Sequence, residues 1–254
     1  MGHLPSSGSG RYAVAFGSAV FNVTGVLFDK DGVIIDGLAL CYALHQARRA
    51  VVERDFGPVA AAWYDRLMEV HGQCAQRGAA MLASLAEAEV LMTWAIRHAS
   101  HIDWDEARER ARQLTQEADR AVKLSDAPLT MGARGALTAL KRHGVAIGMV
   151  TADASERTWA QLEYWKIRDF FDVVVTEDDV TRGKPDPACV IKAVELLGLD
   201  CTQVVLVGDS PNDWRMAAAL GMPCVAVSAA WPAGFPAVRA TIPNLAQISV
   251  VRRD

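Results

Sequence analysis

Two textures of apolar patterning divide the chain. From Ala39 to Lys123 apolar residues recur at helical spacing in four segments, Ala39–Asp55, Val59–Gln76, Ala79–His98 and Trp104–Lys123, which predicts amphipathic helices. Gly57-Pro58, Gly72, Gly78 and His101-Ile102-Asp103 punctuate them, and Asp103 is placed to cap the last helix with Glu106 at its third position. Elsewhere the pattern changes to short apolar runs at Val23–Phe28, Val145–Val150, Val173–Thr176, Val204–Val207 and Pro223–Val227. Helical patterns at Arg134–His143, Ser155–Trp165, Ala188–Leu197 and Trp214–Leu220 alternate with these runs. Such alternation implies right-handed crossovers and a parallel sheet with helices on both faces, an α/β architecture. The Pro- and Ala-rich tail after Ala229 reads as irregular.

These textures predict three parts. Residues 1–20, with Ser7-Gly8-Ser9-Gly10 in their midst, read as a flexible leader or cloning remnant. Residues 21–36 and 125–254 form the α/β core, and residues 37–124 an all-helical insertion. Half of the 254 residues are apolar, enough for a sizeable core. The net charge of −4 with interspersed signs gives no basic footprint for a nucleic acid polymer. No apolar stretch reaches the roughly 20 residues that span a bilayer. The run Tyr12–Phe21 lacks the flanks of a secretory signal. Cys41, Cys74, Cys189, Cys201 and Cys224 are odd in number and scattered, which points to a reducing, cytoplasmic setting. The polar helical part is expected to leave the chain monomeric.

Candidate chemistry sits where the apolar runs end. In Phe28-Asp29-Lys30-Asp31-Gly32 two carboxylates stand two residues apart, so both can lean to one side just past the strand. The other runs end in Thr151, in a loop carrying Lys184, and in Gly208-Asp209-Ser210-Pro211-Asn212-Asp213. Each has an ordinary reading as a turn former, helix cap or surface lysine. Taken together they place four acids, a hydroxyl and a lysine at the edge where open α/β sheets bind ligands. Phosphoryl transfer needs this set. A phosphate dianion repels an incoming carboxylate unless a cation neutralises both. Asp29, Asp209 and Asp213 would cage Mg²⁺, Lys184 would hold phosphoryl oxygens, and Thr151 would add a hydrogen bond. Asp29 would attack phosphorus, and Asp31 would protonate the leaving alkoxide and then deprotonate water.

Phe28-Asp29-Lys30-Asp31-Gly32-Val33, Val150-Thr151, Lys184-Pro185-Asp186-Pro187 and Gly208 to Asp213, in this order, resemble the four motifs of the haloacid-dehalogenase-like phosphatase superfamily. The likeness is to the branch of phosphoglycolate phosphatases and β-phosphoglucomutases. It implies a Rossmann-like core with an inserted helical cap, Mg²⁺ dependence, Asp29 as nucleophile, and the backbone carbonyl of Asp31 in the metal shell. Val33 departs from a position that is threonine in many members, and Asp153 has frequent counterparts without a fixed role. Asp31 argues for phosphate esters rather than haloalkanoates or phosphonates. The absence of any lysine between Lys30 and Lys123 removes Schiff-base chemistry in the cap. The implied activity is hydrolysis of a small phosphorylated metabolite, a sugar phosphate, phosphoglycolate or secondary metabolite. A sugar phosphomutase and a catalytically silent binding module are the alternatives. His45, Arg48 and Arg77, the last within a candidate specificity loop His71–Gly78, are the expected substrate contacts. Tyr42, Arg49, Trp231-Pro232 and Phe235 are further candidates for the cleft wall.

Overall fold

The computed structural model describes residues 12–70, 85–227 and 238–253. Two compact units emerge, residues 1–36 with 129–254 and residues 37–128. The strands are β1 (Tyr12–Phe16), β2 (Ala19–Phe21), β3 (Gly25–Phe28), β4 (Ala146–Val150), β5 (Val173–Val175), β6 (Val204–Gly208), β7 (Cys224–Val227), β8 (Ala240–Ile242) and β9 (Ile248–Arg252). The helices are α1 (Gly37–Leu67), α2 (Leu85–Ser100), α3 (Trp104–Ala121), α4 (Ala133–Arg142), α5 (Ser155–Tyr164), α6 (Ala188–Leu197) and α7 (Pro211–Ala219).

The first unit is built on a six-stranded sheet of order β5-β4-β3-β6-β7-β8, every pair parallel. β3 and β6 are buried at every residue, as expected of strands covered on both faces. Their register sets Phe28 beside Met149 of β4 and Val207 of β6. α6 places Cys189, Val190, Ala193, Val194 and Leu197 on one stripe against Leu27, Val150, Val175 and Leu206. After β3 the chain runs outward through β4 and β5, then returns to β6 on the other side. The switch in strand order therefore falls between β3 and β6, the crevice where such sheets bind ligands.

The ends of the chain depart from expectation. The segment from Tyr12 forms strands: β1 and β2 make a hairpin, and β1 pairs antiparallel with β9 over five residues. Ala13, Val14, Ala15 and Phe16 are all buried, so β1 lacks the in–out alternation that marks a strand. Its second partner, β9, lies more than two hundred residues away, beyond the reach of local pattern. The tail is likewise ordered where described, with β8 completing the large sheet and β9 the small one. Residues 1–11, Trp231-Pro232 and Phe235 lie outside the described residues.

The second unit is all-helical among its described residues. α1 is broken at Gly57, whose φ of 82° leaves the helical region ahead of Pro58. Val52, Tyr64, Met92, Ile96, Ala111 and Leu114 are among the residues of its core. Asp103 caps α3 by accepting a hydrogen bond from the Glu106 amide at 2.9 Å. No helix among the described residues is long and apolar enough to cross a membrane.

Candidate active site

β3 ends in the crevice, and the backbone there is tightly fixed. The Asp29 amide donates to Val207 O at 2.9 Å, carrying the β3–β6 ladder one residue past the strand. The chain then folds back, with the Ile34 and Ile35 amides both donating to Lys30 O at 2.8 Å and the Gly32 amide to Ile35 O at 2.8 Å. Gly32 has a φ of 79°, and a Cβ there would overlap the Asp209 carboxylate. Glycine is therefore required twice, for the turn and for the close approach of Asp209. Val33 is fully buried, so its departure from threonine puts an apolar side chain in the interior.

Asp209 follows β6 directly, and α7 starts at Pro211 rather than at Trp214. Proline suits the first helical position and Ser210 caps the helix. This earlier start puts Asp213 in the first turn, where the Ser210 hydroxyl donates to Asp213 Oδ2 at 2.7 Å and the Ser210 amide at 3.2 Å. The result is a cluster of Asp29, Asp209 and Asp213 with one carboxylate oxygen from each lying within 4.8 Å of the others. Asp213 is fully buried and Asp29 nearly so. Lys184 lies between two of them, its ammonium donating to Asp29 Oδ1 at 2.8 Å and Asp213 Oδ1 at 2.7 Å.

The electrostatics follow from three acids facing one ammonium. Burial raises Asp29 well above the usual carboxylate range; Lys184 pulls it down, while Asp213 and Asp209 push it up. Asp209 is pushed up to about 7, first by burial and then by Asp213. Burial alone would lower Lys184, but Asp213 and then Asp29 overturn that and raise it. Such a surplus of hard oxygen donors suits a hard divalent cation.

Asp31 and Thr151 sit near this cluster in different ways. Asp31 feels both Lys30 and Lys184, and burial raises its carboxyl against the pull of Lys30. Thr151 directly follows β4, buried, its amide donating to Val175 O and its hydroxyl oxygen accepting from the Asp153 amide at 3.1 Å. It caps no helix, since α5 starts after Ala154. No described contact joins its side chain to the acids or to Lys184.

The substrate contacts expected from the helical unit fare otherwise. His45 is buried, bonded through Nε2 to Asp65 Oδ1 at 2.8 Å and stacked on Tyr64. Burial lowers its pKa. Arg48 is buried and forms a two-pronged pair with Asp119 at 2.7 Å on each arm. His45 Nε2 and the Arg48 guanidinium thus bond within their own unit, while His45 Nδ1 is buried without a hydrogen-bond partner among the described residues. Arg49 pairs with Glu53 and Asp65. Arg77 and the loop His71–Gly78 lie outside the described residues.

Two supporting residues escaped the sequence reading. Ser210 stood in the Gly208–Asp213 segment without a role, because the helix was expected from Trp214, three residues after its observed start. Lys30, between Asp29 and Asp31 in sequence, is fully buried, and the only signal was a lysine two residues past an apolar strand.

The chain belongs to the haloacid dehalogenase-like hydrolase family, whose model matches residues 23–221. Within that family its kinship is with phosphatases. It is 31% identical over 205 residues to the phosphoglycolate phosphatase of Rhodospirillum rubrum, covering 80% of this chain and 78% of that protein. It is 43% identical over 74 residues to pyrophosphatase PpaX of Bacillus cereus, an overlap of 29% of this chain and only 34% of the relative. Among solved structures, a protein assigned as a β-phosphoglucomutase from Thermotoga maritima superposes with a TM-score of 0.65. The two share 21% identity, with 88% of this chain and 95% of that one covered, a likeness of fold.

Proposed function

We propose that the chain is a Mg²⁺-dependent phosphomonoesterase for a small phosphorylated metabolite, working through an aspartyl-phosphate at Asp29. The observation that carries this reading is the Lys184 ammonium bridging Asp29 and Asp213 inside a buried acid cluster at the strand-switch crevice. The donor set fits Mg²⁺: three carboxylates converge, one ammonium leaves them under-neutralised, and burial raises Asp29 and Asp209 as the want of a counter-charge requires. Asp29, Asp209, Asp213 and the backbone carbonyl of Asp31 would hold the ion. When bound it would neutralise the phosphate and the acids that face it.

The described hydrogen bonds of the Asp29 carboxylate, from the Lys30 amide and Lys184, both fall on Oδ1, so attack is assigned to Oδ2. The Asp29 oxygen bonds phosphorus as the ester P–O bond breaks, and Asp31, whose carboxyl burial shifts upward, gives its proton to the departing alkoxide. Asp31, now a carboxylate, takes a proton from water, which attacks phosphorus. The Asp29–phosphorus bond breaks and inorganic phosphate leaves. Lys184 and Thr151 would hold the phosphoryl oxygens in both steps.

Phosphoglycolate is the first substrate to try, because a phosphoglycolate phosphatase is the relative matched over most of its length. The wild type is expected to release phosphate from it with Mg²⁺ and to need no bisphosphate activator, which separates hydrolysis from mutase chemistry. EDTA and Asp29→Asn should each abolish release. Survival of about a tenth of the wild-type rate in Asp29→Asn would overturn the role given to Asp29.

A further inference from the structure

We propose that Lys30 is a positioning residue that fixes which oxygen of Asp31 faces the substrate, an inference resting on the acid–base role proposed for Asp31. The Lys30 side chain is fully buried, yet it ends among polar groups from three places in the chain. Its Nζ donates to Asp153 Oδ2 at 2.7 Å and to Gln161 Oε1 at 2.5 Å. Asp153 is itself pinned, since its Oδ1 accepts from the Ala154 amide at 2.9 Å and its own amide donates to Thr151 Oγ1. Gln161 is buried on α5. Two of the three ammonium protons are thus committed to an anchored pair, which holds the charge in one place.

Asp31 Oδ1 lies 3.1 Å from that charge. It is buried and accepts no aligned hydrogen bond among the described residues. The contact is an ion pair at fixed range, turning Oδ1 inward. The side chain as a whole remains 37% exposed, and Oδ2 is its only other polar atom, so Oδ2 is the oxygen turned outward. An inward charge that holds one oxygen leaves the other to carry the proton to the leaving group. Burying an ammonium is costly unless it is paired. Asp153 and Gln161 already provide its aligned bonds, so the approach to Asp31 is not needed to satisfy Lys30.

A proton donor matters when the leaving group is an alkoxide and hardly at all when it is a stable phenolate. The test compares kcat/KM, which reports steps through the first P–O cleavage, for phosphoglycolate and for 2,4-dinitrophenyl phosphate. Lys30→Met should lower the value for phosphoglycolate by about a hundredfold, with a loss on the aryl ester at least about tenfold smaller. Asp31→Asn is run alongside and should show the same selectivity. Equal losses on both esters in Asp31→Asn would sink the acid–base reading itself. Selectivity in Asp31→Asn with equal losses, or none, in Lys30→Met would sink the positioning role alone. Should Lys30→Met fail to fold, Gln161→Leu loosens the same ammonium and should give a smaller loss biased toward the alkyl ester. An unbiased effect in that variant would overturn the proposal.

Discussion

At the scale of single residues the crevice is set by close approaches that tolerate no substitution. Gly32 lies under the Asp209 carboxylate at a φ of 79°, so Gly32→Ala pays twice, in backbone strain and in displacement of an acid from the cluster. The strain alone is worth about 1 kcal/mol or more. Gly32→Ala should therefore lower the melting temperature and also raise the Mg²⁺ concentration needed for half-maximal activity. A variant with unchanged metal dependence would show that Asp209 does not belong to the metal site. The members of the acid cluster and its lysine were legible in the sequence, because Asp29, Lys184, Asp209 and Asp213 all follow apolar runs in a parallel-sheet pattern. Lys30 was not. Its meaning depends on Asp153 and Gln161, more than a hundred residues away, and nothing local announces a buried ammonium.

At the scale of elements, α7 shows how a cap serves a site. Ser210 both starts the helix and fixes Asp213 Oδ2, so that Asp213 Oδ1 faces Lys184. Ser210→Ala should cost about 1 kcal/mol of stability as a lost cap and weaken Mg²⁺ binding by about tenfold or more as a lost support of a ligand. Stability loss with unchanged Mg²⁺ affinity, measured by metal titration of the melting temperature, would separate the two roles. Helix and strand periodicities gave most elements of the α/β unit within a residue or two, α6 among them. They placed the start of α7 late because Pro211 was read as loop rather than as a first helical residue. The partners of His45 and Arg48 were illegible for a similar reason. Their spacing on α1 is visible, but Asp65, past the break in α1, and Asp119 on α3, which pair with them, are not close in sequence.

At the scale of the whole molecule, the acid cluster ties stability to pH. Asp209, pushed up to about 7, holds a proton in the folded protein that an unfolded chain releases near pH 4. Its contribution is fully present below that value and is lost as pH rises through about 7. The burial-raised Asp29 acts in the same direction. The lowered His45 acts oppositely, favouring the fold as pH rises toward 6.5, so the comparison is best made between variants. In EDTA the wild type should lose melting temperature between pH 5 and pH 8 relative to Asp209→Asn, and saturating Mg²⁺ should reverse the trend. Parallel profiles for the two proteins would contradict the raised Asp209. Pairing of β1 with β9 is a whole-molecule feature of another kind. It joins the two ends of the chain, which no window of sequence contains.

The covalent step is the point on which the proposed chemistry turns, and it can be read directly. Asp31→Asn, unable to deprotonate water, should accumulate the phosphorylated enzyme during turnover of 2,4-dinitrophenyl phosphate with Mg²⁺. Acid quenching and peptide mass spectrometry should then find a single phosphoryl group on Asp29. Phosphate release with Asp29 unmodified, or a phosphoryl group on any other residue, would contradict the mechanism.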